Sequence, residues 1–300
     1  MSFCYPARVA SATHLTPRMV RVHLEAVGDW TWPTHGHGDE RIDLAFPFPG
    51  ETVADVEFFN QRDYGTLGPE ALAGAEPPWR HYTVRKVLDG GRTIVVDLAV
   101  HPGGLASDWA VSAQPGHVLG VFNGGEPRGY HEAPDDSAWQ LLVADPTGLP
   151  GLGRIVEELA PGTVVHAVVE VPSADDRQEL ETAGDVTWTW LVTPDGERTG
   201  QALADAVRAL EVPEGPGYAW VACESAASRD VRRHLRAVWG MPRDRHQVVG
   251  YWTAGASNVR ADRDDAHEHE HEHEHEHEHE HEHEHEHEHE HEHEHEHVVS

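Results

Sequence analysis

The stretch from Trp79 to Arg85 carries three side chains whose types and spacing suit one bound molecule. It follows two prolines and alternates as a strand would, which places Arg80 and Tyr82 on one face. Arg80 offers a planar fork of donors for a diphosphate, Tyr82 a flat ring for stacking, and Thr83 a small hydroxyl for a polar ring edge. Diphosphate, flat ring and polar edge together describe FAD. The alternative is a surface strand whose arginines are only solvated.

A second stretch, from Arg92 to Ala110, supplies an anion site. Its first part alternates as a strand and then runs into His101-Pro-Gly-Gly-Leu-Ala-Ser107. The two glycines allow close approach of the backbone, and Ser107 is predicted to be the N-cap of a short helix. Free N–H groups at that helix start would bind the same diphosphate as Arg80.

Together the two stretches resemble a known family. R-x-Y-T-x-R at residues 80–85 and H-x-x-G-x-A-S-x-W-A at residues 101–110 resemble the siderophore-interacting proteins. These are flavin-dependent ferric-siderophore reductases related to ferredoxin–NADP reductases. The resemblance implies that Tyr82 covers the flavin ring and Thr83 bonds near flavin N5, so both are assigned to catalysis. The FAD-binding residues predicted are Arg80, Tyr82, Thr83, Arg85, His101, Gly104, Ala106 and Ser107.

The elements around these motifs are of two kinds. Up to about residue 130, six short strand patterns predict a small antiparallel barrel, with Asp89-Gly-Gly91 as a hairpin turn. Beyond Pro134, five apolar runs alternate with helical stripes, which predicts a parallel sheet with ligands at the carboxyl ends of its strands. The predicted fold class is β plus α/β: an antiparallel β-barrel FAD domain at residues 1–134, a five-stranded nucleotide-binding domain at 135–258 and a disordered tail at 259–300.

The second domain lacks the usual dinucleotide fingerprint. Gly148-Leu-Pro-Gly-Leu-Gly153 does not have G-x-G-x-x-G spacing, so the residues alone leave the ligand of the sheet open. The resemblance narrows it, since residues 141–150 resemble the family segment L-L-x-G-D-E-T-A-L-P, where the nicotinamide of NAD(P)H is expected. Ala144, Pro146 and Gly148 depart from that pattern.

Two further segments continue the resemblance. Ala222-Cys-Glu224 resembles the family G-E, and Gly250–Gly255 resembles the ending Y-W-R-x-G, with Thr253 in place of Arg. The predicted NAD(P)H-binding residues are Asp145, Thr147, Glu224, Arg229, Arg232 and Arg233. The three arginines would grip the 2′-phosphate of NADPH, or alternatively form a solvated helix face.

Beyond the family resemblance lies a tail of sixteen His and fifteen Glu in strict alternation, from His267 to His297. Such a segment buries nothing apolar and is predicted to be disordered. Imidazoles suit divalent metals, so weak metal sites are predicted on the tail. The first such ligands are His267, His269, His271, His273 and His275. A harmless repeat or a solubilising end is the alternative.

Composition restricts the partners. The net charge is −31, of which the fifteen tail glutamates supply about half, and an acidic body argues against nucleic acid or an anionic membrane. Two cysteines form no disulfide framework, and neither an apolar run long enough for a membrane span nor a signal segment is present. We expect a cytoplasmic monomer.

The predicted activity is electron transfer from NADPH or NADH, with ferredoxin as an alternative donor, through FAD to a ferric siderophore, with release of Fe(II). Two other hypotheses stay open. One is a reductase of free flavin or quinones on the same scaffold. The other is a divalent-metal-binding protein that acts through the tail.

Overall fold

The computed structural model describes residues 3–61, 76–123, 129–194 and 200–255. Residues 1–254 form one compact unit, which contains both a barrel and a sheet. The strands are β1 Phe3–Thr16, β2 Met19–Ala26, β3 Arg41–Ala45, β4 Trp79–Leu88, β5 Thr93–Ala99, β6 Val118–Asn123, β7 Trp139–Ala144, β8 Val164–Val171, β9 Asp185–Val192, β10 Gly217–Glu224 and β11 His246–Trp252. The helices are α1 Val56–Asn60, α2 Leu105–Ser112, α3 Leu149–Glu157, α4 Gln201–Ala209 and α5 Ser225–Ala237.

The first six strands close into an antiparallel barrel in the order β1-β2-β5-β4-β3-β6. Alternate residues of each strand fill its interior, as the period-2 pattern predicts. In β3, Ile42 and Leu44 are buried in this core and pair with Tyr82 and Arg80 of β4. The predicted barrel is therefore confirmed. Arg80 and Tyr82 lie on the face of β4 that pairs with these buried residues of β3.

The last five strands form a parallel sheet in the order β11-β10-β7-β8-β9. The chain leaves β7 on one side and returns through β10 on the other, so the strand order reverses between these two strands. Ligands of open α/β sheets bind at the carboxyl ends of the strands beside such a switch point. The predicted five-stranded parallel sheet is confirmed, and its expected ligand-binding edge lies after Ala144 and around Glu224.

The helical stripes predicted from sequence face the sheet, with one exception. Leu152 and Val156 of α3 pack on one side, and Val207 of α4 and Leu235 of α5 pack on the other. Val238, which continues the spacing of Val231 and Leu235, is 68% exposed, and α5 ends at the preceding residue. Within the described ranges, no helix is long and apolar enough to cross a membrane.

Buried carboxylates join the barrel to the sheet. Asp39, just before β3, accepts hydrogen bonds from the Trp220 indole of β10 at 2.8 Å and from two backbone N–H groups near residue 130. Glu40 accepts from Arg154 of α3 at 3.0 Å, and the same guanidinium reaches the Val84 carbonyl at 2.9 Å. Buried charges are tolerated only when they are paired and hydrogen-bonded, so these contacts fix α3 against the barrel.

Candidate flavin and nucleotide site

Arg80 and Tyr82 lie two residues apart on one face of β4, paired with Leu44 and Ile42 of β3. The half-buried Arg80 donates to the Trp79 carbonyl at 2.6 Å, which turns its planar fork along the strand. The Tyr82 ring packs edge-on against Phe46, with 6.0 Å between ring centroids, and Phe46 in turn packs against Trp109 of α2. Burial raises the pKa of the Tyr82 phenol, so this ring is a neutral stacking surface.

Thr83 points to the opposite, outer face of β4. It is 4% exposed, pairs across the ladder with Arg41 and has its hydroxyl within hydrogen-bonding reach of the Tyr251 phenol of β11. Beside it on the same outer face, His81 contacts Asp43 at 2.6 Å. The Thr83 hydroxyl, which is predicted to bond near flavin N5, therefore lies where the barrel meets β11.

The loop before α2 closes tightly, but not in the way predicted from its sequence. Ser107 is not the N-cap: α2 begins at Leu105 with Gly104 as its N-cap, and Ser107 lies inside the first turn, 2% exposed. Its hydroxyl donates to the Ala99 carbonyl and accepts from the His101 N–H. A side chain at Gly104 would collide with the His101 ring, which is why a glycine is needed there.

This correction preserves the expected anion site. Because the Ser107 hydroxyl turns inward to hold the loop, no side chain caps the start of α2. Its first-turn N–H groups, including that of Ala106, are the groups that bind phosphates at helix N-termini. Arg80 and the start of α2 lie on segments next to β5, as the diphosphate hypothesis requires.

Arg85, expected to assist at the diphosphate, is placed elsewhere. Its guanidinium is 3% exposed and makes a two-pronged contact with Glu157 of α3, with Asp97 of β5 at 3.5 Å. Burial raises the pKa of Glu157, but the hydrogen bonds and charge of Arg85 outweigh it and lower that pKa. On the outer face of β4, Arg85 therefore forms an ion pair between the barrel and α3. Its two terminal nitrogens donate to Glu157, and its buried Nε has no hydrogen-bond partner among the described residues.

Asp145 organises the switch point instead of pointing freely into it. It is fully buried and accepts from the Thr147 N–H and hydroxyl, from the Gly148 N–H, and from the Trp252 indole at 2.7 Å. Burial raises its pKa, and the four donors oppose this only in part. Asp145 thereby fixes the loop between β7 and α3, and Thr147 lies half-buried on that loop.

Glu224 is the N-cap of α5. One carboxylate oxygen accepts from the Ala226 and Ala227 N–H groups, and the other from the Ala254 N–H. Glu224 is 5% exposed, so its carboxylate has a structural role as a helix cap. Its place beside a nucleotide stays a prediction.

The three arginines of α5 differ in their surroundings. Arg229 is exposed on the second turn of the helix. Arg232 is half-buried and donates to the Val248 carbonyl of β11, and exposed Arg233 pairs with Asp230 at 2.9 Å. They do not form one cluster, and Arg229 lies nearest the ligand-binding edge.

Comparison with known proteins agrees with this geometry. Residues 8–130 match the family profile "Siderophore-interacting FAD-binding domain", and residues 137–255 match "Siderophore-interacting protein". The chain is 31% identical over 222 residues to the NADPH-dependent ferric-chelate reductase of Escherichia coli (strain K12), covering 72% of this chain and 80% of that protein. The chain belongs to the siderophore-interacting protein family.

Other members of the family are also similar. The ferric vibriobactin reductase of Vibrio cholerae is 29% identical over 198 residues, which span 64% of this chain and 70% of that protein. A crystal structure of a siderophore utilization protein from T. fusca superposes with a TM-score of 0.71 at 30% identity, covering 86% of this chain and 95% of the other.

As in this family, FAD would be held by the barrel, and the observed residues fit it. A half-buried arginine fork, a neutral aromatic ring and an uncapped helix start lie on adjacent segments of the barrel. A diphosphate needs donors of this kind, and a flavin ring needs such a stacking surface.

Some residues that shape the site carry no sequence motif. The pair Asp39-Glu40 was not singled out, although two carboxylates directly before an apolar strand are a signal of buried acids. Trp252, in the segment that resembles the family ending, donates its indole N–H to Asp145. Glu170 of β8 is 1% exposed and was also missed, because a lone Glu in an apolar run predicts nothing by itself.

The glycines after β7 have a packing role. A side chain at Gly148 would overlap the Ala222 carbonyl, and one at Gly151 would press on the Trp220 ring. At Gly153 it would press on the Arg85 guanidinium at 3.3 Å. The unusual spacing of these glycines therefore serves close contact between α3, β10 and the barrel.

The predicted metal ligands of the tail, from His267 to His275, lie outside the described residues. Inside the described ranges, no group of three or more His, Cys, Asp or Glu side chains is arranged to hold a metal ion.

Proposed function

We propose that this protein is an FAD-dependent reductase that passes electrons from NADPH to a ferric siderophore and releases Fe(II). The observation that carries the proposal is the pairing of Arg80 and Tyr82 with the uncapped start of α2, in a chain similar to ferric-chelate and ferric vibriobactin reductases. When bound, FAD supplies the link between a two-electron donor and a one-electron acceptor.

The side chains of the barrel would bind and orient that cofactor. Arg80 and the first-turn N–H groups of α2 neutralise the diphosphate, and Tyr82 covers one face of the ring. Thr83 lies on the other face of β4 with its hydroxyl towards Tyr251, so its assignment to the polar edge of the ring stays a prediction. None of these residues needs to act as a nucleophile, because the chemistry belongs to the cofactor.

The sheet would deliver the nicotinamide. The loop fixed by Asp145 lies at the switch point, where α/β sheets bind nucleotides. Tyr251 of β11 reaches Thr83, so the last strand of the sheet packs against the outer face of the strand that carries Tyr82. Binding at this edge would bring the nicotinamide to the flavin without a large movement of either part.

The acceptor would be reduced at the exposed edge of the site. Ferric iron in a siderophore is a substrate and needs no protein ligand, since single electrons can pass over a short gap. The chelator holds Fe(II) weakly, so reduction is followed by release of the metal. Because NADPH is supplied inside cells, we expect a cytoplasmic enzyme, and we expect it to act as a monomer.

The test is an anaerobic titration of the FAD-loaded protein followed by visible absorbance. NADPH should bleach the flavin band, and ferric siderophore should restore it with formation of Fe(II). Free flavin and a quinone, offered as competing acceptors, should react more slowly than the ferric siderophore. Faster reaction with either would favour a general flavin or quinone reductase, and a flavin that stays oxidised with both NADPH and NADH would point to a donor such as ferredoxin.

A further inference from the structure

Three buried carboxyl groups stand side by side at the carboxyl edge of the parallel sheet. Asp145 follows β7, Glu170 is the penultimate residue of β8 and Glu224 ends β10, and they are 0%, 1% and 5% exposed. Continuing the ladder registers by one residue places Asp145 level with Glu170 on one side and Cys223 on the other. Asp145 and Glu170 of this row point to the sheet face that α4 and α5 cover, whereas Glu224, one position beyond Cys223, follows the opposite face of β10.

Each carboxyl group accepts backbone N–H groups at, or just before, the start of a helix on this edge. The contacts are Asp145 with Thr147 and Gly148 before α3, Glu170 with Gly200 before α4 at 2.8 Å, and Glu224 with Ala226 and Ala227 of α5. Helix starts at this edge commonly bind the phosphates of a nucleotide. Here carboxylates already occupy them, whereas α2 of the barrel has an uncapped start.

Glu170 is the member of this row whose hydrogen bonding is incomplete. One of its oxygens takes the Gly200 N–H, and the Thr193 hydroxyl lies within hydrogen-bonding reach of the carboxyl group, but the buried Oε1 makes no hydrogen bond of good geometry among the described residues. A buried carboxylate oxygen without a donor is costly, and protonation of the carboxyl group removes the buried charge. Glu170 is therefore the group of the row that gains most from protonation.

The groups around Glu170 also favour its protonated form. Asp145, directly after β7, and the Cys223 thiol of β10 are the titratable groups that interact with it, and the side towards β9 and α4 presents the Thr193 hydroxyl and the Gly200 N–H, which do not titrate. Burial raises the pKa of Glu170; its hydrogen bonds oppose this, and the nearby Asp145 charge adds to it.

We propose that Glu170 makes dinucleotide binding proton-linked, taking up one proton from solvent when the diphosphate of NADP(H) binds over this edge. The inference rests on the proposed function, which places the nucleotide here. An anionic diphosphate that approaches acid-capped helix starts meets repulsion instead of the usual attraction. Protonation of Glu170 removes one negative charge from this row of carboxyl groups. Because the proton is lost at higher pH, nucleotide affinity falls as pH rises.

The experiment uses NADP⁺, which binds without reducing the flavin, and the FAD-loaded full chain. Calorimetric titrations in two buffers of different ionisation enthalpy give the protons taken up, and titrations from pH 7 to 9 give Kd. In the wild type, Kd should rise by up to tenfold per pH unit, the limit for one linked proton. Glu170→Gln keeps the shape of the side chain, and should show little uptake and a flatter profile. The 2′-phosphate titrates near pH 6 in both proteins and cancels in the comparison.

Asp205→Asn is the matched control, because it removes an exposed carboxylate from α4 and should behave as the wild type. Equal proton uptake by the wild type and Glu170→Gln would overturn the proposal. If the variant does not fold, infrared difference spectra of the wild type should show a protonated carboxyl band appearing with NADP⁺, and its absence would also overturn it. No binding of NADP⁺ or NAD⁺ to any of these proteins would instead refute the proposed function and this inference with it.

Discussion

At the scale of single residues, Arg80 is the side chain on which the flavin hypothesis depends most. Its fork lies half-buried beside Tyr82 and has no carboxylate partner among the described ion pairs. Arg80→Ala should weaken FAD binding by about 1.5–3 kcal/mol, the range for hydrogen bonds to charged groups, or roughly tenfold to a hundredfold in Kd. Fluorescence titration of the apoprotein with FAD measures this.

Arg8→Ala is the control for that measurement. Arg8 also lies on a barrel strand, but it is exposed, and among the described residues its ion-pair partner is the half-buried Glu25 at 3.0 Å. Surface ion pairs of this kind contribute little, so FAD affinity should not change. Equal losses in the two variants would mean that Arg80 acts through barrel stability and not through the diphosphate.

The two cysteines allow a second prediction at this scale. Cys4 and Cys223 are 1% and 0% exposed, and burial raises the pKa of both thiols, that of Cys4 to about 12. Only the thiolate reacts with disulfide reagents, and a raised pKa keeps the thiol protonated. At pH 8 the native protein should show no fast thiol, and two should react after unfolding in guanidinium chloride. A fast native thiol would place Cys223 in contact with solvent at the nucleotide edge.

At the scale of elements, the start of α5 is where the protein should distinguish NADPH from NADH. Glu224 occupies the first N–H groups, so the 2′-phosphate of NADPH must be held by a side chain, and exposed Arg229 is the best placed. Arg229→Gln should weaken NADP⁺ binding by about tenfold and leave NAD⁺ binding nearly unchanged. Arg233→Gln is the control, since its guanidinium is paired with Asp230. If both variants weaken NADP⁺ binding equally, the preference for NADPH would come from the overall positive charge of the helix and not from a contact of Arg229.

Strand and helix patterns predicted these elements well because alternation and helical stripes are local. The stretch predicted to be a strand from Trp79 is β4, and the apolar runs beyond Pro134 are the strands of the parallel sheet. The N-cap of α2 was wrong because Ser107 has a tertiary partner, the Ala99 carbonyl, that a capping rule does not contain. The place of Arg85 was missed for the same reason, since Glu157 lies far along the chain.

At the scale of the whole molecule, the His-Glu tail and the folded unit should be separable. The tail alternates imidazoles with carboxylates, both of which ligate divalent cations, and metal binding there should weaken from pH 7.5 to 6 as protons compete. Truncation after Arg263 should remove most Ni(II) and Zn(II) binding, measured by equilibrium dialysis, and leave FAD content and NADPH oxidation unchanged. Undiminished metal binding by the truncated chain would show that the tail is not a metal site.

The barrel and the sheet should unfold together, because buried contacts join them. Arg154 of α3 is 5% exposed and donates to Glu40 and to the Val84 carbonyl of the barrel. Arg154→Met would leave the buried Glu40 carboxylate without its cation, which costs about 3–5 kcal/mol when a buried pair is broken from one side. Urea unfolding followed by both Trp fluorescence and circular dichroism should give a single transition in the wild type, shifted to lower urea in the variant.

The double variant Arg154→Met/Glu40→Gln distinguishes a lost ion pair from lost packing. Gln at residue 40 keeps an oxygen for the Trp32 indole, which donates to Glu40 at 2.9 Å, but carries no charge to be stranded. Part of the stability should therefore return, because the uncompensated charge and not the missing guanidinium carries most of the cost. Two separate transitions in the wild type would contradict the coupling itself: the barrel and the sheet would then be independent folding units, and the alignment of the flavin and nucleotide sites would depend on contacts other than these.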